Sequence, residues 1–245
     1  MNTLDLILKK FGLPYQGCLC GHLPAQHEHE VRGCLECSCD QYVSRPPLEI
    51  PNYGRNQLPH LWRELGFKKV AEIGTMKGEY AQVICEAAPD IHLFCVDAWA
   101  AYDGYDMGDQ AKMDELYAKA QKRLKPYPNK SFVRAFSVEA AKVFPDGSLD
   151  AVYIDAAHDF VNVAMDLGAW IPKVRKGGII SGHDYVLRGM GPNIYGKQNM
   201  TFHVKQVVDA WALAFHVDPW FLLGRKWPQE GEIRDKIRSF MWVKE

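Results

Sequence analysis

Five short, near-continuous apolar runs punctuate this chain, and each stops at or near a small or polar residue before a stretch of helical period begins. Lys69 to Ile73 ends at Gly74 and precedes a helix near 78–88. Ile91 to Val96 ends at Asp97, and a polar loop over 100–108 leads to a helix near 110–124. Ser131 to Ala135 precedes a short helix after Ser137. Leu149 to Ile154 ends at Asp155, with helical period from His158 to Ile171, and Gly178 to Ser181 enters His183-Asp184. Strands that lack a polar face must be covered on both sides, which a parallel sheet flanked by helices provides. The expected fold is α/β: a doubly wound, mostly parallel sheet joined by right-handed crossovers. Residues 201–215 add a helix, and Trp220 to Leu223 and Ser239 to Val243 two closing strands. Ligands of such sheets sit beyond the carboxyl ends of the strands. Gly74, Asp97, Ser137, Asp155 and His183-Asp184 all fall at those ends.

The N-terminal part follows different rules. Residues 2–11 carry apolar side chains at helical spacing. Residues 17–43 then gather Cys18, Cys20, His22, His27, Cys34, Cys37 and Cys39 with few large apolar groups. Such a segment buries too little to order itself. Four of those seven donors would complete a closed tetrahedral zinc site, with Cys34-x2-Cys37 spaced as in a zinc knuckle. Such a site is expected to be structural, and the sequence does not decide which four bind. Prolines at 46, 47 and 51 read as a linker, which divides the chain into an N-terminal helix and zinc-binding module (1–45) and a sheet domain (46–245). Cys85 and Cys95 fall in a helix and a strand and read as core residues.

Composition narrows the partners. With 29 basic and 30 acidic residues the net charge is -1, and the cysteine-rich segment is itself acidic. Neither feature attracts phosphate, so nucleic acid is disfavoured and protein docking, a homo-oligomer contact included, or covering of the substrate is the better use for that segment. No apolar run is long enough to span a membrane, and the first residues lack the pattern of a signal peptide. A cytoplasmic, reducing location is the expectation, in which clustered cysteines suit metal better than disulfides.

At the cofactor side, Gly74 and Gly78 bracket the turn from strand to helix, where free backbone N–H groups can meet an anionic ligand. Glu72 precedes the turn, and Asp97 can accept both hydroxyls of a ribose. Met76 and Glu79 stand where a dinucleotide fingerprint needs glycine. A pyrophosphate would be poorly cradled, which tilts the choice from NAD toward S-adenosylmethionine. The glycines alone are equally compatible with a plain turn.

At the acceptor side, Asp155 and Asp184 end neighbouring strands and His183 stands beside the latter. These three could hold a divalent ion with positions open for substrate oxygens. His158, three residues past Asp155, could take a proton near neutral pH. Simpler uses exist: Asp155 as a helix cap, His158 as a backbone partner, His183-Asp184 as a pocket-closing pair. The loop 186–200, with glycines at 189, 191 and 196, reads as an acceptor lid or an ordinary connection.

Taken together, Glu72-Ile-Gly74-Thr-Met-Lys-Gly78, Phe94-Cys-Val-Asp97-Ala-Trp99, Tyr153-Ile-Asp155-Ala-Ala-His158 and Lys176-Gly-Gly-Ile-Ile-Ser-Gly-His183-Asp184-Tyr185 resemble the class I S-adenosylmethionine-dependent methyltransferases, over residues 55–245. The branch most similar is that of metal-dependent macrolide-sugar and catechol-type O-methyltransferases. The resemblance implies a Rossmann-like methyltransferase sheet and methylation of a small-molecule or saccharide hydroxyl. It places Glu72 and Gly74 at the methionine end of S-adenosylmethionine, Asp97 at the ribose, and Trp99 and Ser137 at the adenine, with Gly78 also among the cofactor-binding residues. It also implies Asp155 and His158 as catalytic residues and a divalent ion, magnesium or manganese, at Asp155, His183 and Asp184. His183 stands where the resembling enzymes carry an acid, which favours a softer ion such as manganese, iron or zinc. The rivals are transfer to nitrogen and a non-catalytic docking protein on the same fold.

Overall fold

The computed structural model describes residues 1–13, 46–102, 108–186 and 202–245. The seven zinc candidates, and all of the expected lid but Val186, lie outside these residues. Eight strands form one sheet: β1 (Leu48–Ile50), β2 (Lys69–Ile73), β3 (His92–Asp97), β4 (Lys130–Arg134), β5 (Leu149–Ile154), β6 (Val174–Gly182), β7 (Trp220–Leu223) and β8 (Ser239–Val243). Their spatial order is β1-β7-β8-β6-β5-β2-β3-β4. All neighbours are parallel except β8, which runs antiparallel between β6 and β7. From β2 the chain builds outward through β3 to β4, then returns to lay β5 and β6 on the other side. The switch point therefore lies between β2 and β5, and a parallel sheet opens its ligand crevice there. This is the Rossmann-like architecture expected of the methyltransferase sheet.

The helices are α1 (Thr3–Phe11), α2 (Leu58–Glu64), α3 (Glu79–Ala87), α4 (Gln110–Leu124), α5 (Ser137–Ala141), α6 (Phe160–Trp170) and α7 (Val204–Ala214). Alternation along the strands explains how they divide. Val70 and Tyr153 face a core with Ile7, Leu61, Trp62 and Ile84, from α1, α2 and α3. Ala71, Ile73, Val152 and Ile154 face the opposite core with Ala140, Leu167, Trp170 and Val208, from α5, α6 and α7. Successive residues point to opposite faces, so a strand apolar throughout feeds both layers.

Two elements went unread in the sequence. The proline-flanked stretch read as a linker contains β1, paired with β7 from Leu48↔Phe221 to Ile50↔Leu223. β1 is an edge strand, where prolines at either end cost no ladder hydrogen bond. The helix α2 follows it after a turn and one 3-10 turn at Arg55–Gln57. α1 also departs from the expected division at residue 45. Its ends are set by an Asn2–Asp5 capping box and by Gly12 in the left-handed region. Ile7 is fully buried, Phe11 packs edge-on against Tyr53, and Leu4 and Leu8 join the same cluster. The helix is thus part of the sheet domain's core.

Candidate active site

The turn after β2 is shaped by backbone approach. Gly74 has φ +95°, and a Cβ there would stand 2.1 Å from the Asp155 carbonyl oxygen. Only glycine lets the ends of β2 and β5 come so close. Met76 and Gly78 also have positive φ, at 51° and 75°. Asp97, at the end of β3, holds this turn: its Oδ2 accepts from the Met76 N–H and its Oδ1 from the Trp99 N–H, both at 2.8 Å. Burial raises its pKa, and those two N–H donors oppose the rise. Glu72 is 2% exposed and accepts a hydrogen bond from Thr75 Oγ1 at 2.8 Å. Burial pushes its carboxyl up to about 8. An acid so buried binds a proton or a cation.

Two residues expected at the adenine are engaged otherwise. Trp99 is 1% exposed and packs with Met113, Leu116 and Ala120 of α4, while its Nε1 donates to the Met76 carbonyl at 2.7 Å. Its φ is +41°, and these contacts brace the turn. Ser137 Oγ donates to Asp166 and accepts from Trp170 Nε1 at 2.9 Å. Its hydroxyl is therefore committed inside the core. Among the described residues, Tyr102 and Phe136 are exposed aromatic groups near this edge, 39% and 47% exposed, with ring centres 5.5 Å apart. Buried Asp166, its carboxyl raised by burial to about 6, lies behind them.

At the ends of β5 and β6 four expected residues converge. The donor atoms of Asp155, His158 and Asp184 all lie within 4.8 Å of one another. His158 Nε2 stands 2.7 Å from Asp184 Oδ2 and 3.8 Å from Asp155 Oδ1. His183 Nδ1 lies 3.4 Å and 3.8 Å from the same two carboxylates. The close approach of Asp184 is out of line with the imidazole, so His158 Nε2 is buried without an aligned hydrogen bond. Burial alone would lower the His158 pKa, but Asp155 and Asp184 together lift it to about 10. Asp184 is correspondingly held far below the usual carboxylate range: burial works against its charge, and His158 and His183 outweigh it. Asp184 also adopts a left-handed φ of +57°, a strained conformation of the kind that clusters at functional sites. The His158 ring stacks on Phe202 at 4.8 Å, and its carbonyl accepts the His203 N–H, which fixes the edge that faces the carboxylates.

Two side chains here carried no signal in the sequence. Arg55, from the turn after β1, brings Nη2 to 3.4 Å from Asp155 Oδ2. Asp235, between β7 and β8, keeps Oδ2 buried without a partner among the described residues. Burial raises its pKa, and the charges of His183 and Arg55 oppose the rise. Both residues arrive by tertiary pairing from segments of mixed composition.

Residues 71–185 match the family model described as a methyltransferase domain. Among solved structures, a protein from Staphylococcus aureus provisionally described as a caffeoyl-CoA O-methyltransferase is 16% identical, with a TM-score of 0.53 over 77% of this chain and 82% of its own. An O-methyltransferase from Bacillus cereus in complex with S-adenosylhomocysteine is 15% identical, with a TM-score of 0.51 over 78% and 80%. A protein from Clostridium thermocellum provisionally described as an rRNA methylase is 13% identical, with a TM-score of 0.50 over 78% and 98%. At such identities the likeness is one of fold, shared by neighbours with different acceptors. A curated relative, the uncharacterised protein y4gI of Sinorhizobium fredii, is 26% identical over 136 residues, and the match spans 52% of this chain but 14% of that protein. Among the described residues no helix is long and apolar enough to cross a membrane.

Proposed function

We propose that the protein transfers the methyl group of S-adenosylmethionine to a hydroxyl of a small molecule or sugar, with a divalent ion assisting at Asp155, His183 and Asp184. The observation that carries this reading is the convergence of two carboxylates and two imidazoles one strand away from the Gly74 turn. Adjacent ligands about 2.1 Å from a metal stand about 3 Å apart, and the 3.4 and 3.8 Å separations around His183 need only a small contraction to reach that. Two carboxylates and an imidazole suit manganese, iron or zinc better than magnesium. When bound, such an ion lowers the pKa of a coordinated hydroxyl and neutralises the two aspartates.

His158 is then the proton acceptor. Its side chain is 19% exposed, against 13% for His183, and its Nε2 has no aligned partner. Its high pKa depends on Asp155 and Asp184, so charge neutralisation at those two residues brings it back toward neutrality, where an imidazole accepts a proton. On the other side of β2, Glu72 meets the cationic methionine end of the cofactor and Asp97 the ribose. Tyr102 and Phe136 flank the adenine, in place of Trp99. A structural zinc held by four of the N-terminal cysteines and histidines, and a protein-docking role for that segment, complete the proposal.

The test supplies methyl-labelled S-adenosylmethionine with catechol, a simple sugar, an amine and a thiol as probes. Label on oxygen, lost in Asp155→Ala and His158→Ala, is the expected result. Label on nitrogen or sulfur that persists in Asp155→Ala overturns O-methylation.

A further inference from the structure

Arg55 stands outside every motif in the chain, yet it touches the carboxylate on which the proposed acceptor chemistry turns. Its guanidinium carbon lies 4.3 Å from the centre of the Tyr80 ring and 5.6 Å from that of Tyr153. Its backbone carbonyl accepts the Tyr80 hydroxyl at 2.9 Å. Tyr80 therefore holds both ends of the residue. Side-chain exposure is 25%, low for an arginine.

The Asp155 carboxylate is divided by this neighbour. Oδ2 faces Arg55 Nη2 at 3.4 Å, while Oδ1 lies 3.8 Å from each of His158 Nε2 and His183 Nδ1. A carboxylate with one oxygen anchored offers the other in a fixed direction. Outer partners of this kind orient metal ligands, and their loss costs about 10–100-fold in metal affinity. We propose that Arg55 is a positioning residue: held by Tyr80 and Tyr153, it fixes Asp155 Oδ2 so that Oδ1 points at the two imidazoles and completes the divalent-cation site. This inference rests on the cation reading above.

A guanidinium near a cation site also repels the cation, and two substitutions separate the effects. Arg55→Lys keeps the charge but loses the planar fork and the reach, since an ammonium stops about 1 Å short of a terminal guanidinium nitrogen. Arg55→Gln keeps a planar amide but removes the charge, which by itself would tighten cation binding. The measurement is Mn2+ affinity of the full chain, by titration calorimetry or electron paramagnetic resonance, with neither cofactor nor acceptor present. Affinity for S-adenosylhomocysteine serves as the check on folding.

Weakening of Mn2+ binding by about tenfold or more in both variants, with S-adenosylhomocysteine affinity kept, is the result expected of a positioning role. Binding within twofold of the parent in Arg55→Lys, or tighter binding in Arg55→Gln, overturns it. A parent protein that binds S-adenosylhomocysteine but no Mn2+ refutes the cation reading itself, which separates the two failures.

Discussion

Replacing Asp184 by asparagine should turn His158 from a permanently charged imidazolium into an ordinary histidine. Unit charges 2.7 Å apart attract by about 6 kcal/mol at an effective dielectric near 20, and a pair 3.8 Å apart by about 4 kcal/mol. The rise of the His158 pKa from 6.5 to about 10 corresponds to about 5 kcal/mol, so burial cancels roughly half of that attraction. Without Asp184 the remaining pull of Asp155 no longer covers the burial term, and the pKa should fall to about 6. Titration of the imidazole by nitrogen-15 NMR, in metal-free protein, reads this directly. The same shift fixes a stability profile. A folded-state pKa above the unfolded value adds stability that is complete below about pH 6.5 and lost as pH climbs toward 10. The parent should therefore lose denaturant resistance over that window, and Asp184→Asn should not show this loss. A His158 pKa that stays above 9 in the variant would mean that Asp184 is not its main partner, and the argument for cation-controlled basicity would fail.

Three further outcomes are expected. Gly74→Ala drives a methyl into the Asp155 carbonyl at an unfavourable φ, and the urea midpoint should fall by the equivalent of about 3 kcal/mol or more. Asp97→Ala frees the Met76 and Trp99 N–H groups and removes the ribose acceptor; calorimetry with S-adenosylhomocysteine should show roughly hundredfold weaker binding. Tyr153→Phe strands the Ser239 hydroxyl, buried 2.8 Å from the Tyr153 oxygen, and should cost about 1–2 kcal/mol in a denaturation curve while sparing cofactor affinity.

How much of this was readable from the chain follows from burial. Strands such as Leu149–Ile154 are covered on both faces, so they are apolar but for Asp150 near the start and their ends stand out. Asp97, Asp155 and His183-Asp184 were legible for that reason: polar residues that interrupt such runs sit where a crevice opens. β1 and α2 were not, because β1 is three residues long and exists through its pairing with β7. Arg55 and Asp235 reach the site by tertiary routes that leave no periodic trace. Trp99 stands two residues past Asp97 in sequence, but its burial against α4 comes from tertiary packing that position does not foretell. The contact between Ser137 and Asp166 joins residues 29 apart, which no local pattern foretells.

α1 is wedged into the core through Ile7, and β1 is paired into the sheet, so both ends of the cysteine-rich stretch are anchored in one domain. Residues 14–45 join two anchored points along the chain. A shortened protein beginning at residue 46 would shed α1 together with the cysteine-rich stretch and lay bare the hollow that Ile7 fills. The clean excision is internal, joining Leu13 to Pro46 by a short bridge, and only that variant would tell what the stretch contributes without also wounding the fold.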